Sequence, residues 1–194
     1  MLENGTTFSD PLKAALAAAG WTASRCVDTR RVVRVLSRRG YVVHDAAVHV
    51  LQQFAGLRFE VAHEPDRDGT RFSHRFRIVG GWRRFPTFRR TFRGWLRGNL
   101  PADAAFLRWR FNWDACPIGS NEVYYMGCED DGQIYSLESG RVIWCDADWE
   151  WLLLANDFVA LVDFICFGRG TDVEHIVLDT EENNRKLIEL GILG

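Results

Sequence analysis

The hydrophobic period of this chain changes near residue 57, from a repeat of three to four residues to a repeat of two. That change dictates the fold class. Before it, three short stretches carry an apolar stripe at helical spacing. Leu12, Ala15, Leu16 and Ala19 form the first, opened by Ser9-Asp10-Pro11 and stopped by Gly20. Val32, Val35 and Leu36 lie between Asp28 and Gly40, and Ala47, Val50, Leu51 and Phe54 lie between Asp45 and Gly56. Ser9 or Asp10 and Asp45 are expected to cap the first and third helices, because their oxygens can accept from free first-turn N–H groups. After residue 57, Leu57, Phe59 and Val61 alternate with Arg58 and Glu60, and Phe72, His74, Phe76 and Ile78 alternate with Ser73, Arg75 and Arg77. This two-residue alternation is that of half-buried strands, and "EPDRDGT" between them is turn chemistry.

Further along, residues 101–107 suit a short helix, and 123–128, 133–137 and 141–144 suit strands joined through "EDDG" and "ESG". Asp146 is placed to cap one long apolar helix, Ala147 to Phe167, ended by Gly168. A strand at 172–178 and a helix at 180–190 close the chain. Helices, then an antiparallel meander, then a covering helix make an α+β order.

The 194 residues fit one domain, 1–194, with enough length to bury a core without metal or disulfide staples. A 47% apolar content, with 8 Trp and 13 Phe, excludes general disorder. The apolar run 149–167 is broken by Asp157 and Asp163, which argues for a buried segment over a membrane span. The start lacks the basic and apolar regions of a secretion signal. The five cysteines (26, 116, 128, 145 and 166) form no C-x-x-C pair, so reduced thiols in a cytoplasm are expected and a zinc site is not.

Charge is distributed unevenly. Residues 1–57 carry a formal +3, residues 58–110 carry +8, and residues 111–194 carry −13. Such asymmetry points to an electrostatic partner or to two halves that face each other. The tract "WRRFPTFRRTFRGWLRG", and the wider stretch 82–110, could hold phosphates with its arginines while its rings stack on bases. A nucleic-acid-binding or regulatory module is therefore the alternative functional reading.

No catalytic pattern emerges. G-x-S-x-G, the phosphate-binding loop and G-x-G-x-x-G are all missing, and His44, His49, His63, His74 and His175 form neither H-E-x-x-H nor H-x-H. Asp130-Asp131 and Asp146/Asp148 suit a turn and a helix start, where acids are ordinary. The expectation is a binding protein with no catalytic residue, metal or cofactor.

Several pieces in order resemble the third subfamily of the SUKH superfamily of immunity proteins. They are "LAAAGW-TASR-CVD", "HDAAVHVLQQFAGL" with Phe54, Gly56 and Leu57, "CPIG" at 116–119, "EDDGQIYSL", and the apolar helix after Asp146. The resemblance covers roughly residues 10–168 and leaves 169–194 as a C-terminal extension. It implies an α+β fold and neutralisation of a cognate toxin, commonly encoded by a neighbouring gene, through binding. Its matched residues look architectural: Gly20 and Gly56 at helix ends, Trp21 and Phe54 in the core, Pro117 and Gly119 setting a turn. On that footing an acidic face of Glu122, Glu129, Asp130, Asp131, Asp146, Asp148 and Glu150 would occupy a basic toxin cleft. Exposed Trp113, Tyr124 or Trp144 would anchor it.

Overall fold

The computed structural model describes residues 8–63, 72–79, 102–125, 128–146, 149–168, 172–178 and 180–193, with side chains 124–131 outside that description. The basic tract 82–99 also lies outside it. Three helices lead, α1 (Asp10–Ala18), α2 (Arg30–Ser37) and α3 (Asp45–Phe54), followed by β1 (Arg58–Ala62) and β2 (Phe72–Ile78). Then come α4 (Ala102–Phe111), β3 (Ala115–Tyr125), β4 (Cys128–Leu137), β5 (Val142–Asp146) and β6 (Trp151–Ala155). Last are α5 (Phe158–Phe167), β7 (Val173–Val177) and α6 (Glu181–Glu189). The seven strands form one sheet in the order β1 to β7, every neighbour antiparallel, so the topology is a meander. The fold is α+β.

Pleat alternation splits the sheet into two packed faces. On the first, the row Ile78, Gly119, Ile134, Trp144, Leu153 and His175 runs across the strands. Leu16, Leu51, Phe54, Leu161 and Val162 of α1, α3 and α5 cover that face. On the second face, Tyr135, Ile143, Leu152 and Leu154 pack with Phe106 and Leu107 of α4 and Leu187 of α6. The extension 169–194 thus supplies the strand that borders β6 and the helix that completes the second core.

Several local expectations change. The stretch 147–167 is not one helix: Trp151-Leu152-Leu153-Leu154-Ala155 is strand β6, and the helix is the ten residues of α5. A short run of unbroken apolar residues has no period to separate a buried strand from a helix. Asp157 is the residue that caps α5, accepting from the Ala160 N–H at 2.8 Å. "EDDG" is not a turn, because the ladder of β3 and β4 continues through Glu129, Asp130 and Asp131. Pairing of β2 along β3 as far as Tyr125 extends that hairpin and overrides a weak local turn preference.

Pro117 and Gly119 likewise lie inside β3, at a register shift of its ladder with β4. Gly119 is there for close approach: a Cβ would sit 2.8 Å from the Arg77 carbonyl oxygen of β2. The caps differ too. Ser9 donates its hydroxyl to Asp163 of α5 and caps nothing. His44, not Asp45, caps α3, its Nδ1 accepting from the Ala47 N–H at 3.2 Å.

Candidate partner-binding surface

The residues singled out from sequence fall at two ends of the sheet. Strand β3 has 11 residues, which places its ends roughly 30 Å apart at about 3.3 Å per residue. Near its last residue Glu122 is paired with Asp131, Val123 with Asp130, and Tyr124 with Glu129. Gly132 is paired with Asp146, and the connection from β5 to β6, bearing exposed Glu150, turns at the same end. Backbone register alone therefore gathers the acids. Trp113 precedes the first residue of β3 and belongs to the opposite end. Asp148 and the side chains of Tyr124, Glu129, Asp130 and Asp131 lie outside the described residues.

Among the acids with described side chains, only Glu150 is openly exposed. Glu122 is ion-paired with Arg77 of β2, and neighbouring Arg75 donates to Glu60 at 3.2 Å. The first pair is partly buried, where loss of one partner leaves a poorly solvated charge. Asp146 is only 7% exposed, and its Oδ1 accepts from the Trp151 N–H at 3.1 Å. It closes the connection between β5 and β6 and is buried there. Trp144 is 5% exposed and packs 4.8 Å from Trp151, which makes it core and not an anchor. Its ring lies over Gly132, where any Cβ would fall inside it.

Trp113 is half-buried and stacks on Phe111 at 4.4 Å. It lines an open pocket of about 490 Å³ with Asn112, Asp114, Leu137, Glu138, Ser139 and Arg141. Arg108 pairs with Asp114 at 3.1 Å and Arg141 with Glu174 at 2.8 Å, leaving a rim of balanced charge. Of the other matched residues, Gly20 and Gly56 hold the left-handed conformation that ends α1 and α3 (φ +86° and +80°). Trp21 stacks on Phe54 with ring centroids 6.1 Å apart.

Two buried ionisable groups were not singled out from sequence. Asp103, in the first turn of α4, is fully buried, and the Tyr41 hydroxyl donates to its carboxylate at 3.3 Å. Burial pushes its carboxyl up to about 7, against hydrogen bonds from Tyr135, the Ala104 N–H and Tyr41 that favour the charged form. Tyr41 belongs to the first core and Tyr135 to the second, so one carboxyl ties both. Desolvation takes the His74 imidazole down to about 4, with His63 adding repulsion. A first-turn aspartate and a strand histidine look ordinary in sequence, because burial is a tertiary property.

Among the described residues no group of three or more His, Cys, Asp or Glu is arranged to hold a metal ion. Nor is any helix there long and apolar enough to cross a membrane. Comparison with known families finds that the SUKH-3 immunity protein model matches residues 8–160. The chain belongs to that family. The matched span runs from just before α1 into the first turn of α5 and contains the glycine-ended helices, the shifted ladder of β3 and the acidic sheet end. Strand β7 and helix α6 of this SUKH-3 protein lie beyond it. Curated proteins and solved structures gave no match. Family membership gives the chain an immunity role, with a toxin as its partner.

Proposed function

We propose that this SUKH-3 protein neutralises its toxin by stoichiometric binding that covers the toxin's active site. The surface that enters is the acidic end of the β3–β4 hairpin, at Glu122, Glu129, Asp130 and Asp131, with Glu150 beside it. The observation that carries this reading is the gathering of those positions at one sheet end by backbone register. Arg75 and Arg77 pair with Glu60 and Glu122, which leaves the Glu129–Asp131 run as the larger source of negative potential. A toxin that works on nucleic acid carries a basic cleft, and opposed fields speed encounter and exclude substrate.

The test is co-expression with the toxin encoded by the neighbouring gene, followed by growth rescue and affinity measurement across a salt series. The double variant Asp130→Lys, Asp131→Lys should bind about tenfold weaker or worse and lose much of its salt dependence. Unchanged affinity and salt slope would remove the acidic end from the interface. A wild-type protein that neither binds nor rescues would remove the occlusion reading itself.

A further inference from the structure

We propose that the outer edge of β7 is a self-association site, pairing antiparallel with β7 of a second copy to continue the sheet across a two-fold axis at His175. The argument begins with where the backbone groups of β7 point. The Leu178 N–H donates to the Glu150 carbonyl at 2.7 Å, on the β6 side. In an antiparallel ladder inward-bonding residues recur every second position, so Ile176 and Glu174 also bond inward, opposite Leu152 and Leu154. The N–H and C=O groups of Val173, His175 and Val177 then point outward. Beyond β7 no strand follows in the sheet order among the described residues. Glu174 and His175 are exposed and Val177 is 63% exposed, so among the described residues no element covers this edge.

Exposed edges are ordinarily guarded by lysine, proline or a bulge, because a bare edge recruits other strands. Strand β7 reads Val-Glu-His-Ile-Val and pairs with β6 in unbroken register, so it has no lysine, proline or bulge, and its one full charge, Glu174, is ion-paired with Arg141. Three outward residues centred on His175 make the edge complementary to itself. With His175 opposite its symmetry mate, Val173 faces Val177 of the second copy, and all six outward groups enter hydrogen bonds. Shifting the axis by one residue toward the N-terminus would oppose Glu174 to its own copy and leave outward groups unpaired. In the favoured register Glu174 faces Ile176 and Asp172 faces Leu178, so no acid opposes an acid. The half-exposed valines gain cover from each other on the first face of the sheet.

A five-residue strand pair sits at the small end of interface sizes, so a weak dimer is expected, with a dissociation constant on the order of 10–100 µM. Sedimentation equilibrium of the whole chain from micromolar to about 1 mM should show a reversible monomer–dimer equilibrium in that range. His175→Pro removes an N–H that the parent sheet does not use, and Val177→Lys installs the missing guard. Each should weaken dimerisation by about tenfold or more while the circular-dichroism spectrum stays that of the folded wild type. A wild type that stays monomeric throughout, or folded variants that dimerise equally well, would overturn the proposal. Should both variants unfold, amide exchange at Val173, His175 and Val177 of the wild type decides, and exchange rates independent of protein concentration would overturn it. A monomeric wild type whose toxin binding is lost in Val177→Lys would assign the edge to a toxin strand instead, and would leave the immunity reading intact.

Discussion

The two faces of the sheet are packed by different parts of the chain in different chemical styles. On the first face, α1, α2 and α3 precede the strands they cover, α5 follows β6, and the filling is aromatic and aliphatic. Trp21, Phe54 and Phe158 follow one another in ring contact, with Phe54 and Phe158 centroids 4.7 Å apart. On the second face, α4 arrives after β2 and α6 after β7, and the core they close contains Tyr135 and borders the buried carboxyl of Asp103. Each face therefore borders an ionisable group, His74 on the first and Asp103 where the second meets the first, and the two respond to pH in opposite directions. Where a core includes an ionisable group, its stability acquires a dependence on solution conditions that hydrocarbon packing lacks.

Truncation should separate the faces most sharply. Phe54→Ala removes a ring that touches both Trp21 and Phe158 and should cost about 3–5 kcal/mol in denaturant unfolding. Leu187→Ala on the second face should cost about 2–4 kcal/mol, and in hydrogen exchange it should loosen α6 before α3. Equal loosening of both helices would show that the faces unfold as one unit.

Protonation is the next lever. In the fold Asp103 keeps its proton up to about pH 7, whereas the unfolded chain releases it near 3.8. Over that window the native state binds more protons, so stability falls as pH rises. His74 works the other way: its folded ring stays neutral down to about 4, whereas the unfolded ring takes a proton below 6.5. There the unfolded state binds more protons, so stability rises with pH. The two slopes oppose each other from about pH 4 to 6.5. Asp103→Asn should unmask a stability that climbs with pH by a few kcal/mol, and His74→Phe one that declines. If both variants keep the wild-type pH profile, these groups do not carry the difference between the faces.

The smallest effect concerns the stitch from α3 to the sheet. His44 caps α3 through Nδ1 and reaches the Ser136 carbonyl of β4 through Nε2 at 3.0 Å. His44→Ala should cost about 1–2 kcal/mol, and His44→Asn, which can restore the cap alone, should recover about half. Full recovery would mean that the link to β4 contributes nothing.

The first face was the more legible in sequence, for a physical reason. Its helices repeat apolar residues at helical spacing and end in glycines, both of which are local signals. Strand β6 was hidden because five apolar residues in succession have no period, and the part of β4 before residue 133 because its acids resemble turn residues. At the candidate site the acids Glu129, Asp130 and Asp131 were legible as charge. Their common location depends on the ladder joining β3 to β4, and pairing register is not written in any short window. The burial of Asp146 and Trp144 was equally out of reach, since Asp146 takes the Trp151 N–H across a turn and the Trp144 ring settles over Gly132 on a neighbouring strand.

The placement of β7 also has a consequence for biosynthesis. A ribosome delivers β6, with its run Trp-Leu-Leu-Leu-Ala, before it delivers the strand that borders it. At about 5–20 residues per second, the segment after α5 takes roughly one to five seconds to make. Throughout that interval the nascent chain carries an apolar strand whose outer side has nothing to bond. Yield in the cell should therefore respond to elongation speed over the codons for residues 168–178, and to any chaperone that shields strand edges at the exit port.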